Sequence, residues 1–190
     1  MIEMMSAQRL NAAKLARRIA IVIVGAALMT LAAKTQVPFW PVPMTLQVVA
    51  VMGFAVLLGP RLATGICLAY LAAGAAGLPV FSGSPERGIG LAYMMGPTGG
   101  YLAGFLIVSW LVGALSSGRG LIGQIGAMLA GLVVVYACGL AWLAIYVPAA
   151  KLLAAGLLPF LLGDIVKIAV VAAATALLSR TRFNLRALDQ

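Results

Sequence analysis

Six apolar stretches fill most of the chain, at residues 19–33, 46–58, 62–78, 101–115, 121–147 and 152–178. The first five contain no Asp, Glu, Lys or Arg, and the sixth contains only Asp164 and Lys167. A helix that crosses a bilayer needs about 20 predominantly apolar residues. The first two stretches are short, but the proline-bearing segment between them can contribute residues at membrane depth. Charged residues make up 9% of the 190-residue chain, against about 25% in a soluble domain. With 64% hydrophobic residues and a mean hydropathy of +1.11, the chain lacks the polar groups to cover a globule. Lipid is therefore part of its solvent. The expected fold is all-α: one polytopic membrane domain over residues 1–190, with six transmembrane helices.

The breaks between stretches carry the topology. Gly59-Pro60-Arg61 and Ser116-Ser117-Gly118-Arg119-Gly120 are short, turn-like and basic, and read as tight helical hairpins. The segment 35–45 is rich in proline and aromatics, 80–100 is long and glycine-rich, and 148–151 is brief. Six crossings put nine basic residues (Arg9, Lys14, Arg17, Arg18, Arg61, Arg119, Arg180, Arg182 and Arg186) on one side. Three (Lys34, Arg87 and Lys151) fall on the other. Cytoplasmic loops carry the excess of Lys and Arg, so both termini are expected in the cytoplasm. The two long loops then lie outside. Irregular backbone at membrane depth survives only against protein or a cavity, so loops carrying Phe39, Trp40, Leu78, Val80 and Phe81 read as pocket walls or lids. The alternative is an ordered interfacial cap.

Several functions are excluded on composition. The net charge of +9 would suggest nucleic acid in a soluble protein. Here the basic residues flank apolar runs without interleaved aromatics, so no nucleic-acid partner is expected. The chain has no His, which removes the commonest catalytic base and metal ligand. Cys67 and Cys138 sit alone within apolar stretches and read as small hydrophobes. No metal site and no cofactor is expected. Gly96-Pro97-Thr98-Gly99-Gly100 has no following Lys, so it is not an ATP-binding loop. Without a convincing nucleophile–base pair, an enzyme is not expected either. The first apolar stretch follows four basic residues and lacks a small-residue cleavage site, so it reads as an uncleaved first helix.

Gly163-Asp164-Ile165-Val166-Lys167 is the sharpest feature. Residues three apart share a helix face, and each charge costs roughly 2.5–3.5 kcal/mol at the centre of a membrane helix. One reading is a self-neutralising pair that joins helices. The other is a ligand site in which Asp164 accepts and Lys167 donates. The sixth stretch runs inward, so Asp164 falls in its outer half, beneath the outer loops. Thr45, Gln47, Tyr93, Thr98 and Tyr101 lie near the outer ends of neighbouring stretches and can supply neutral hydrogen bonds. Tyr at an interface also serves as an anchor, and Thr at a helix start as a cap. In the first helix, Ala12, Ala16 and Ala20 repeat every fourth residue, a spacing that lets another helix approach closely.

Taken in order, Pro41-Val42-Pro43-Met44-Thr45-Leu46-Gln47, Gly77-Leu78-Pro79-Val80-Phe81-Ser82-Gly83, Gly96-Pro97-Thr98-Gly99-Gly100-Tyr101 and Gly163-Asp164-Ile165-Val166-Lys167 form a set. The set resembles the BioY family, the biotin-binding S components of energy-coupling factor (ECF) transporters. The resemblance covers residues 34–167, and Ser84-Pro85-Glu86-Arg87 is a charged variant of the third loop. It implies the S-component fold in the inner membrane of a bacterial cell and capture of biotin from outside. Asp164 would face the ureido N–H groups and Lys167 the ureido oxygen, with Gln47, Thr45, Tyr93 and Thr98 nearby. Lys167, Lys34 and Arg87 are the candidates to meet the ligand carboxylate. It further implies a partner module of two ATPases and a transmembrane coupling protein, docking on the alanine face, or a homo-oligomer acting alone. The alternatives are an S component for thiamine or riboflavin, or a cation-coupled exporter using Asp164. A fixed positive charge three residues from that carboxylate argues against the exporter.

Overall fold

The computed structural model describes residues 2–37 and 41–180, with side chains from residue 12 to residue 178 within those ranges. Phe39, Trp40, Arg182 and Arg186 lie outside the described residues. Eight helices are present among the described residues. They are α1 (Ile2–Lys34), α2 (Gln47–Leu58), α3 (Pro60–Ala75), α4 (Gly90–Met94), α5 (Gly99–Ser116), α6 (Leu121–Leu143), α7 (Ala149–Gly156) and α8 (Leu158–Arg180). One small departure from an all-helical chain is an antiparallel pair of two-residue strands, β1 (Gln36–Val37) with β2 (Met44–Thr45). It closes the segment between α1 and α2 into a hairpin.

The helix limits differ from the apolar stretches for local reasons. The first helix starts well before residue 19, because residues 2–18 are rich in Ala, Leu, Met, Lys, Arg and Gln, all strong helix formers. The third begins at Pro60 in its first turn, where a missing N–H costs nothing. Gly59 before it takes φ +81°, a conformation that favours glycine. The stretch expected as one helix over 152–178 is instead two, α7 and α8, broken at Leu157 (φ −129°, ψ −61°). Pro159 in the first turn of α8 cannot donate back across the break. At Gly156 a Cβ would meet the Tyr101 hydroxyl at 2.6 Å, so the break is packed tightly against α5.

Four helical stretches are long and apolar enough to cross a membrane: Ala12–Lys34, Gly99–Ser116, Leu121–Leu143 and Ala149–Leu178. With 12 and 16 residues, α2 and α3 reach only about 18 and 24 Å at 1.5 Å per residue. Each is short of a hydrocarbon core of about 30 Å. They form a tight hairpin about Gly59-Pro60.

The central element is α5, which packs on α6, α2 and α3, while α8 packs on α2 and α6, and α1 on α3 and α2. Glycines set how closely these helices meet. A Cβ on Gly100 would lie 2.3 Å from Trp142 Cβ, and one on Gly104 would lie 3.1 Å from Val135 Cα. Small residues four apart on α5 thus seat it directly on the α6 backbone. On the opposite side, a Cβ on Gly113 would lie 2.6 Å from Pro60 Cα, so the α2–α3 turn rests on α5 as well. Between them Met52, Val108, Val112, Met128 and Val135 are fully buried. Ile122, Val133 and Leu162 face outward and are more than two-thirds exposed. An apolar exterior of this kind suits lipid rather than water.

Candidate functional site

The ends of α2, α5, α6 and α8 nearest the segments 35–45 and 80–98 enclose a cavity of about 60 Å³, roofed by the segment 42–45 and by Ser82 and Tyr93. Thr45, Gln47, Tyr93, Thr98, Asp164 and Lys167 all line it. The chain therefore brings to one place six polar residues that the sequence spreads over 123 positions (Thr45 to Lys167).

At one end, the helical three-residue spacing on α8 holds Lys167 Nζ 2.7 Å from Asp164 Oδ1. The residues are 9% and 5% exposed, so the pair is withdrawn from solvent and each charge depends on its partner. The second carboxylate oxygen has its own donor: the Tyr136 hydroxyl of α6 donates to Asp164 Oδ2 at 2.7 Å. Two donors, one on each oxygen, fix the plane of the carboxylate. An ionised carboxylate offers about four acceptor positions, so each oxygen retains one directed elsewhere.

A second polar cluster lies at the start of α2. Gln47 Nε2 donates to the Tyr70 hydroxyl at 3.0 Å, and Thr45 Oγ1 donates to Gln47 Oε1 at 3.1 Å. The backbone N–H of Gln47 donates to Thr45 Oγ1 at 3.3 Å. Thr45 therefore orders the first turn of α2 and aims the Gln47 amide. Thr98 sits at the helix-cap position of α5 but makes no side-chain capping bond. Its hydroxyl belongs to the cavity wall instead. Tyr93 stacks on Phe81 with centroids 4.8 Å apart, and Phe81 meets Tyr70 edge-on at 5.5 Å. Burial raises the Tyr93 phenol above its ordinary range, opposed in part by Thr98, Arg87 and Ser82. The remaining wall is apolar, formed by residues such as Val42, Leu102, Phe105 and Phe160.

The two long connecting segments, before α2 and before α5, are cross-tied above this cavity. Lys34 Nζ donates to the Ser84 carbonyl at 2.6 Å and to Ser84 Oγ at 3.0 Å. Ser82 is hydrogen-bonded to Gln36, and Arg87 Nη2 donates to the Pro41 carbonyl at 3.2 Å. Arg87 does not reach the cavity. It lines a separate depression with Pro41, Glu86 and Pro97, and that depression shares Tyr93 and Thr98 with the cavity. Ala12, Ala16 and Ala20 are exposed on α1 and line neither space.

Sequence reasoning missed Tyr136, Tyr70 and Ser82. Tyr136 had a readable signal: it lies two turns inside the end of a 23-residue apolar helix, where the interfacial-anchor explanation for tyrosine is weak. Tyr70, fully buried in α3, carries a similar signal. Ser82 stood inside the 77–83 motif, but nothing in that loop gave its hydroxyl a role. Tyr101, grouped in the sequence with the hydrogen-bonding candidates, lines the cavity but spends its hydroxyl on the Gly156 carbonyl at 2.7 Å. It holds α5 to the α7–α8 break.

Comparison with known proteins gives consistent matches over most of the chain. A family model described as "BioY family" matches residues 4–183. A probable biotin transporter BioY from Pyrococcus horikoshii is 38% identical over 169 residues, covering 89% of this chain and 97% of that protein. The biotin transporter BioY from Thermotoga maritima is 38% identical over 148 residues, covering 77% of this chain and 86% of that protein. Among solved structures, the S-component for biotin from an ECF-type ABC transporter superposes with a TM-score of 0.74 at 26% identity. That match covers 87% of this chain and 92% of the other, so the mostly helical fold is that of an ECF S component.

Proposed function

The chain belongs to the BioY family, and on that premise we propose that it is a biotin-binding membrane subunit for biotin uptake, capturing its ligand from the outer face. The observation that carries this reading is the buried Tyr136–Asp164–Lys167 constellation at the end of a largely apolar cavity. Biotin has a bicyclic ureido head with two N–H donors and one carbonyl acceptor, and an aliphatic chain ending in a carboxylate. Asp164 would accept from the ureido N–H groups with the acceptor positions that Tyr136 and Lys167 leave open. An ammonium has three N–H donors, so Lys167 can hold Asp164 with one and give another to the ureido oxygen. The thioether ring and methylenes would lie on Val42, Leu102, Phe105 and Phe160.

Arg87 is the best placed cation for the ligand carboxylate. A chain leaving the head group toward the outer loops passes Tyr93 and Thr98, which form the wall shared with the Arg87 depression. The present cavity of about 60 Å³ is well below the roughly 300 Å³ at which small-molecule pockets begin. Entry therefore requires the roof over residues 42–45 to lift, and its closure over the ligand would exclude water and strengthen each polar contact.

The same reading includes six crossings with both termini cytoplasmic, in the inner membrane of a bacterial cell. Its support is the nine-to-three division of basic residues and the tight α2–α3 hairpin, whose α2 is extended outward by the segment 41–46. For energy, the chain would dock with a module of two ATPases and a transmembrane coupling protein through Ala12, Ala16 and Ala20 on α1, or act as a homo-oligomer. A cation-coupled exporter fits less well, because Lys167 already occupies the carboxylate at 2.7 Å.

Uptake of labelled biotin by cells expressing the chain, challenged with excess unlabelled vitamins, tests the assignment. Unlabelled biotin should abolish uptake, and thiamine and riboflavin should leave it unchanged. Competition by either of those vitamins would transfer the site to another S-component ligand.

A further inference from the structure

A long groove on the lipid-facing side of the molecule, remote from the ligand cavity, runs along α1 where it meets α2 and α3. Its walls include Arg17, Val24, Gly25 and Leu28 of α1, Leu58 at the end of α2, and Ile66 of α3. Gly25 gives it depth on one side: a Cβ there would lie 2.5 Å from Ile66 Cδ1, so α1 and α3 are in direct contact at its floor. The exposed lining is wholly apolar although Arg17 is part of it. Arg17 thus contributes its aliphatic stem to the wall and carries its guanidinium beyond it.

The groove has a length, a polarity and a charged end. From Arg17 to Leu28 is eleven residues along a helix, or about 16 Å, close to the roughly 15 Å depth of one leaflet's hydrocarbon. Its basic end is the one lined by Arg17 and Leu58. Arg61, three residues past Leu58 at the start of α3, and Lys14, one turn before Arg17 on α1, belong to that end, and all three basic residues are exposed. Basic clusters beside intramembrane grooves recognise anionic head groups. We infer that this groove is a binding site for an anionic phospholipid of the leaflet nearest the termini: one acyl chain lies between α1, α2 and α3, and the phosphate is held by Lys14, Arg17 and Arg61. Ala20 also lines the groove, so the bound lipid covers part of the face proposed for module docking and must leave before a protein helix can sit there.

Native mass spectrometry of the purified full-length chain, after delipidation, tests this with dioleoyl phosphatidylglycerol and dioleoyl phosphatidylcholine added at equal concentration. Phosphatidylglycerol adducts should exceed phosphatidylcholine adducts by about tenfold. Val24→Trp, which fills the groove, should remove the adducts of both lipids. Lys14→Gln with Arg17→Gln and Arg61→Gln should abolish the preference while leaving the phosphatidylcholine adduct in place. Biotin binding reports folding of each variant, since the groove shares no residue with the cavity. Equal uptake of the two lipids, or phosphatidylglycerol adducts that survive Val24→Trp, would overturn the inference. If Val24→Trp abolishes co-purification of the coupling module but leaves lipid adducts unchanged, the groove belongs to a protein helix and the lipid assignment is wrong.

Discussion

Replacing Lys167 by Met removes the ammonium 2.7 Å from Asp164 Oδ1 while keeping an apolar stem of similar length. The carboxylate is left 5% exposed, with the Tyr136 hydroxyl as its remaining donor among the bonds described. Breaking a buried ion pair by removing one partner costs about 3–5 kcal/mol, because the other charge stays in a low-dielectric surround. For a chain of this size that corresponds to a fall in unfolding midpoint of roughly 6–20 °C. The double variant Asp164→Asn/Lys167→Met should behave differently. A neutral amide beside a thioether leaves no uncompensated charge, and Tyr136 can still donate to the amide oxygen. Its midpoint should return most of the way to the parent value. Both variants should lose biotin binding, which separates stability from recognition. Unfolding of detergent-solubilised protein, followed by tryptophan fluorescence, gives the three midpoints. If Lys167→Met matches the parent, or the double variant is the least stable of the three, the pair is not the isolated, mutually dependent unit described above.

Arg87→Ala should weaken biotin by roughly tenfold yet leave the affinity for biotin methyl ester nearly unchanged, since the ester has no anion for the guanidinium. Equal losses for both ligands in a binding titration would take Arg87 away from the carboxylate. Ala16→Trp with Ala20→Trp should stop the chain co-purifying with its energising module while biotin affinity stays at the parent value. Undiminished co-purification would remove that face of α1 from the docking surface.

The charges of the site were legible in the sequence because they were out of place. Asp164 and Lys167 are the only charged residues in any of the six apolar stretches, and helical spacing alone puts them side by side. The roof was legible in kind: proline, glycine and aromatics between apolar stretches marked irregular backbone with a wall to form. Its ties were not, because Lys34–Ser84 and Arg87–Pro41 join residues 50 and 46 apart, and no local pattern encodes such contacts. The helix limits failed where hydropathy and helix propensity part company. Residues 2–18 are helical without being apolar, and residues 152–156 are apolar yet belong to a separate helix, because Leu157 and Pro159 interrupt the ladder. Tyr136 was hidden by residue type. A tyrosine is at home at an interface, and only its depth in α6 marks it as a partner for Asp164.

Titration of the purified, detergent-solubilised chain with biotin, with Asp164→Asn alongside, tests the central claim most directly. The parent should bind one biotin per chain with high affinity. The variant should bind more weakly by about 1.5–3 kcal/mol, or roughly 10- to 150-fold in Kd. A folded parent that shows no biotin binding, or a variant that matches it, would contradict the account.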